Sequence, residues 1–135
     1  MVPRFEVDPS AEAQTGFEDV KPGTYPMRIV EATEGVGQSS GEPNIKWRLE
    51  HVTSKDQLVN QGGKPLTGTP GGLFYYTNLT VGKQGMLRAL VEAALGEWRS
   101  AESDELLGKE VQVVVKNENY NGELRNKVAR IVKVG

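Results

Sequence analysis

The sequence predicts a mostly β domain with one α-helix, and three observations carry that prediction. Two segments before residue 80 place apolar side chains at every second position, the period of a strand with one buried face, and a third, 73–79, is rich in strand formers. A single stretch, 86–95, spaces them as one face of a helix. Asn121-Gly122, the strongest short hairpin signal, then separates two further strand-like runs. The 135 residues suffice for one domain with a real core and are too few for two, and 16 glycines and 7 prolines imply many turns.

Each element follows from its residues. Residues 1–16 show no sustained period and read as a flexible acidic arm, leaving 17–135 as a single folded domain. Lys21-Pro22-Gly23 is a turn that launches the first strand, where Tyr25, Met27 and Ile29 alternate with Pro26, Arg28 and Val30. Residues 34–42 are polar and glycine-rich and read as a loop. In the second strand Ile45, Trp47 and Leu49 share one face while Lys46, Arg48 and Glu50 share the other. Residues 53–72 carry Gly62, Gly63, Pro65, Gly68, Pro70 and Gly71 and form a long excursion. Leu73 to Leu79 is rich in strand formers and makes the third strand. Thr80 is the expected N-cap of the helix, with Met86, Leu87, Leu90, Val91, Ala94 and Leu95 as its apolar face and Gly96 as its stop. A short turn over 103–107 ends at Gly108. Val111, Val113 and Val115 open the fourth strand, and 128–134 returns as the fifth.

Three strands, a helix and a two-strand hairpin follow the plan of the OB-fold. That fold is a five-stranded Greek-key barrel in which one α-helix between strands 3 and 4 plugs an end. A flat five-stranded sheet with the helix on one face shares the element order, although its edges would then need protection.

Composition narrows the chemistry. Without cysteine there is no disulfide framework, thiolate metal site or cysteine nucleophile, and the single histidine, His51, has no second imidazole for a zinc site or relay. The glycines at 35, 37 and 41 miss the third position of a dinucleotide fingerprint and do not stand between a strand and a helix. Gly63-Lys64 is followed by Pro65, where a phosphate-binding loop needs Ser or Thr. Carboxylates occur singly or in exposed pairs such as Asp104-Glu105. No catalytic constellation emerges, so the expectation is a non-enzyme without cofactor or metal. No apolar stretch is long enough for a membrane span, and the N-terminal residues lack the apolar core of a signal peptide, which points to the cytoplasm.

Charge is unevenly spread. Residues 1–20 hold five acids and one base, whereas the rest holds 15 bases and 13 acids, so a mildly basic body follows an acidic leader. If the apolar faces of the first two strands line one barrel, Arg28, Lys46 and Arg48 lie outside it, near the strands on which OB-folds hold oligonucleotides. Ordinary solvated surface charge has the same pattern. Tyr75 and Tyr76 are adjacent, so one faces outward whichever way the strand is set, and an exposed ring beside cations is what base stacking requires. Alternatively Phe74 and Tyr76, or Leu73 and Tyr75, fill the core while the other tyrosine packs under a loop. The phase of Trp47 makes it core.

A two-residue turn at Asn121-Gly122 pairs Tyr120 with Glu123, Glu118 with Arg125 and Lys116 with Lys127. Carried inward that register sets Val113 against Arg130, so a bulge must intervene. Glu118 accounts for Arg125, but Lys116 opposite Lys127 is unfavourable, and an anionic ligand would relieve it. Tyr120, near the tip, is a second stacking candidate. The candidate site is therefore Arg28, Lys46, Arg48, Lys116, Arg125 and Lys127 for phosphates, with Tyr75 or Tyr76 and Tyr120 for bases.

The chain resembles a family of tailed-phage proteins catalogued as domain of unknown function 669 and regarded as OB-fold single-stranded DNA-binding proteins. The resemblance rests on Phe17, Pro22 to Tyr25, Ile29 and Glu31, then on Pro43 to Val52 and on Leu73-Phe74 leading to Asn78-Leu79-Thr80. Ala94-Leu95-Gly96, Leu107-Gly108-Lys109 and Asn126-Lys127-Val128 complete it, in an order that spans most of 17–134. It departs at the glycine- and proline-rich stretch 60–72. It implies a non-catalytic accessory of DNA replication or recombination that coats transient single strands in the host cytoplasm, with replication or recombination proteins and a second copy of itself as further partners. The rival expectation is an OB-fold protein-interaction or virion-associated structural module whose arm docks on a neighbour. A nuclease would need clustered acids that the sequence does not offer.

Overall fold

The computed structural model describes residues 2–4, 6–7, 17–37 and 40–132, with backbone alone at Phe17 and Tyr120. Most of the expected arm, 1–16, lies outside the described residues, as do 133 and 134 of the expected fifth strand. Among the described residues seven strands and one α-helix form in the order β1 (Phe17–Glu18), β2 (Gly23–Val36), β3 (Pro43–His51), β4 (Thr69–Pro70), β5 (Leu73–Asn78), α1 (Gly85–Leu95), β6 (Glu110–Tyr120) and β7 (Glu123–Val132). The five long strands are the expected ones and the helix falls between the third and fourth of them. They build one antiparallel sheet in the order β5-β3-β2-β6-β7. The fourth long strand thus returns beside the first, as in a Greek key.

The expected closure into a barrel is not found. The edge strands β5 and β7 approach each other but share no ladder. Part of the outer edge of β7 is already occupied, because the Asn126 N–H donates to Asp19 Oδ2 at 3.3 Å and the Asn126 side chain exchanges hydrogen bonds with the backbone of Val20 at 2.8 and 2.9 Å. A strand edge held by the leader cannot also pair with β5. Helix α1 packs against β5, β6 and β7, adding Leu90 and Val91 to a core of Met27, Ile29, Leu49, Val111 and Val113.

Trp47 lies at the centre, 1% exposed, with its Nε1–H donating to the buried Thr77 hydroxyl at 2.9 Å. Its neighbour across the ladder is Tyr75, also buried, whose hydroxyl donates to the Met86 carbonyl of α1 at 3.0 Å. Inward-facing side chains of β3 and β5 are thus tied to each other and to the helix.

Several elements differ from the sequence reading. Strand β2 continues through Val36, because residues 33–36 stay paired with 43–46, so the loop shrinks to 37–42. The helix starts at Gly85 and not after Thr80: Asn78 Oδ1 captures the Thr80 N–H at 2.7 Å, and Gly82 adopts φ +89°, which no helix continues. Met86 is exposed, whereas Ala93, which was not on the expected face, is buried. The hairpin has the expected register, with positive φ at both Asn121 and Gly122 and a bulge between Val114 and Val115.

The excursion 53–72 is ordered and packed. Leu58 and Leu66 join the core, β1 pairs with β4 in parallel, and Val20 bridges Asn60. The Glu18 carboxylate accepts from Asn60 Nδ2 at 3.0 Å, from the Thr67 N–H at 2.9 Å and hydroxyl at 3.2 Å, and from the Gly68 N–H at 3.0 Å. These donors, Asn60 foremost, bring its pKa down from 4.5 to about 2.

Two outcomes are expected. Thr77→Val keeps the volume but strands the buried indole N–H, so chemical denaturation should show a loss of about 1–3 kcal/mol; an unchanged midpoint would mean that the indole bond contributes nothing. A carboxyl depressed in the folded state contributes stability above its unfolded value of 4.5 that is lost as pH falls through 2. Amide protection of the 58–70 segment should therefore decline across that window in the wild type and stay flat in Glu18→Gln, measured by hydrogen exchange. Parallel profiles would remove Glu18 as the cause.

Candidate nucleic-acid interface

The phase that buries Leu73, Tyr75 and Thr77 turns Phe74 and Tyr76 outward, 51% and 54% exposed. Of the two adjacent tyrosines Tyr76 is therefore the surface one, and Tyr75 does not reach the outer face, because it fills the core against Trp47. In the ladder Lys46 stands directly opposite Tyr76 and Arg48 opposite Phe74, so a row of cations on β3 faces a row of rings on β5. Lys46 Nζ lies 4.8 Å from the centre of the Phe74 ring, within range of a cation–π contact. Phe74 was absent from the sequence-derived set, although its signal was available: once Tyr76 points out, the residue two before it does too.

This face forms one side of a cleft of about 590 Å³. Lys46, Arg48 and Phe74 line it from β3 and β5, Glu31 and Thr33 from β2, and Glu123, Leu124 and Arg125 from the hairpin end. A second recess of about 510 Å³ shares Thr33 and Lys46 and extends to Tyr76 and Val36. The two make a trough across the outer side of the sheet. The hairpin wall is braced from behind, where Gln61 Nε2 donates to Asn117 Oδ1 at 3.2 Å and to the Leu124 carbonyl at 3.4 Å.

The cleft is balanced in charge. Its lining holds Lys46, Arg48 and Arg125 against Asp19, Glu31 and Glu123. Arg48 Nη2 is 3.1 Å from Glu50 Oε1 and its Nη1 is 3.9 Å from Glu31 Oε2. Arg125 Nη2 is 3.2 Å from Glu123 Oε2.

The remaining predicted residues stand outside the trough. Arg28 shares the outer face, but it is paired across the ladders with Glu50 and Glu110 and its Nη2 lies 3.3 Å from Glu110 Oε1. Lys116 and Lys127 do oppose each other. Their repulsion is offset within the hairpin, since Lys127 Nζ donates to Glu118 Oε1 at 3.3 Å, so no external anion is required. Tyr120 pairs with Glu123 through its backbone, and its side chain lies outside the described residues. His51 packs edge-on against Tyr25 with ring centres 5.3 Å apart, and burial pushes its pKa down.

Among the described residues no group of three histidine, cysteine or acidic side chains could hold a metal ion, and no helix is long and apolar enough to cross a membrane. No curated protein matches the chain. A family model described as "Protein of unknown function (DUF669)" matches residues 5–132. With that match spanning nearly its whole length, the chain belongs to this family.

Proposed function

We propose that the protein binds single-stranded DNA without catalysis, on the outer face of β3 and β5. The observation that carries the reading is the pairing of Lys46 with Tyr76 and of Arg48 with Phe74 across one exposed ladder. Phe74 and Tyr76 are two residues apart, about 6.6 Å along the strand, which gives two neighbouring bases a ring each. The cations beside them meet the phosphates. Strand order and helix position support an OB-fold opened at the seam between β5 and β7, and the face between its second and third long strands is where OB-folds take oligonucleotides. The resemblance to tailed-phage single-strand binders supports the same reading, with replication or recombination in a host cytoplasm as the setting. The balanced charge of the cleft favours a second reading, a protein-interaction or virion-associated module on the same fold.

Fluorescence anisotropy of a labelled poly-thymidine oligonucleotide separates the two. With Lys46, Arg48 and Arg125 as the phosphate contacts, log K should fall against log salt with a slope between about −1 and −2. Phe74→Ala and Tyr76→Ala should each cost about 1–3 kcal/mol. Duplex of the same length, with its base faces hidden, should bind far less. Absence of single-strand binding at low salt, or a folded Lys46→Glu/Arg48→Glu variant that binds as the wild type does, overturns the proposal in favour of the interaction module.

A further inference from the structure

Arg48 already has anionic partners on its own face. One is Glu50, two residues along β3, and the other is Glu31, directly across the ladder on β2. Glu31 occupies that place because of a backbone irregularity. Ile29 opposes Leu49, and the next rung is Glu31 against Arg48, so Val30 is an extra residue in β2. With regular pairing Val30 would face Arg48, and Glu31 would fall opposite Trp47 on the buried side. A bulge re-aims a side chain, and this one sets a carboxylate beside the arginine of the cation–aromatic face. Lys46, the next cation along, has the Phe74 ring as its neighbour instead.

We propose that Glu31 is an affinity-setting residue: its carboxylate stands in for a phosphate at Arg48, so that a bound strand exchanges one anion for another. The proposal rests on the single-strand reading and states how that site is tempered. Both side chains are well exposed, 38% for Arg48 and 58% for Glu31. Such a pair is weak and screened by salt, so a phosphate can displace it readily. Because Arg48 is neutralised beforehand, it adds little to the counterions released on binding and therefore little to the salt dependence. Glu31 contacts no base in this scheme and acts only through Arg48.

The test is anisotropy of a fluorescein-labelled poly-thymidine oligonucleotide across a salt series. The proteins are the wild type, Glu31→Gln, Arg48→Met and the double variant, with thermal melts to confirm folding. Glu34→Gln serves as the reference for the general field, since Glu34 borders the same trough and makes no ion pair among the described residues. Glu31→Gln should tighten binding about two- to five-fold at low salt, the strength of an exposed pair. It should also steepen the salt slope, by less than the roughly 0.7 of one full phosphate of a single strand, because Glu50 stays beside Arg48. In the Arg48→Met background the gain should shrink to that of Glu34→Gln. A gain that persists there, or a Glu31→Gln protein no tighter than Glu34→Gln, overturns the role of Glu31 while leaving the single-strand reading intact. A wild type that does not bind at low salt removes both.

Discussion

The bond from the Trp47 indole to the Thr77 hydroxyl decides which side chains this protein shows to the outside. A tryptophan brings one N–H into the core that must find an acceptor, and on the buried face only a polar side chain at one register position can supply it. Thr77 does so two rungs from the residue facing Trp47, on the same buried face, which sets β3 against β5. Slipping β5 by a residue against β3 would turn Phe74 and Tyr76 into the core and Tyr75 and Thr77 out of it. The same bond therefore secures the buried layer and composes the exposed one.

A second set of contacts sets the depth of the cleft. Glu18 gathers the end of the excursion onto the leader, Asn126 ties the leader to β7, and Gln61 holds the far side of the hairpin. Each joins parts of the chain remote in sequence through one polar side chain. Together they convert a long hairpin, which on two strands alone would be marginal, into a wall for the trough. They also occupy part of the edge that a closed barrel would have used, so closure is exchanged for a braced, open sheet.

What could be read beforehand follows the range of the interaction responsible. The hairpin was legible to the residue, since Asn121-Gly122 sets the turn and a collision at Arg130 demands the bulge. The inward phase of Trp47 and the stop at Gly96 were equally local. Thr80 misled because an Asx turn at Asn78 and a left-handed Gly82 intervene before the helix can start. Leu58 and Leu66 were hidden in a stretch whose glycines and prolines imitate a loose loop, and Glu18 betrays nothing of the donors that wait for it some 50 residues later. The bulge at Val30 was the most consequential omission. Period-2 reasoning placed Arg28 with Lys46 and Arg48, and an extra residue in β2 gave Arg48 an acid for its cross-strand neighbour.

That acid changes how the face works. Counting cations alone describes a groove that attracts a polyanion from a distance, whereas Arg48 with Glu31 and Glu50, and Arg125 with Glu123, present little net field. Attraction at range is then small, and what remains for the proposed binding is contact chemistry: two exposed rings, one lysine beside them, and guanidinium groups whose carboxylate partners a phosphate would replace. Stacking is indifferent to base identity, and a charge exchange is nearly neutral in energy, so neither favours one sequence or a very slow release. Under the proposed single-strand reading, a surface built in this way suits a strand that is covered briefly and handed on.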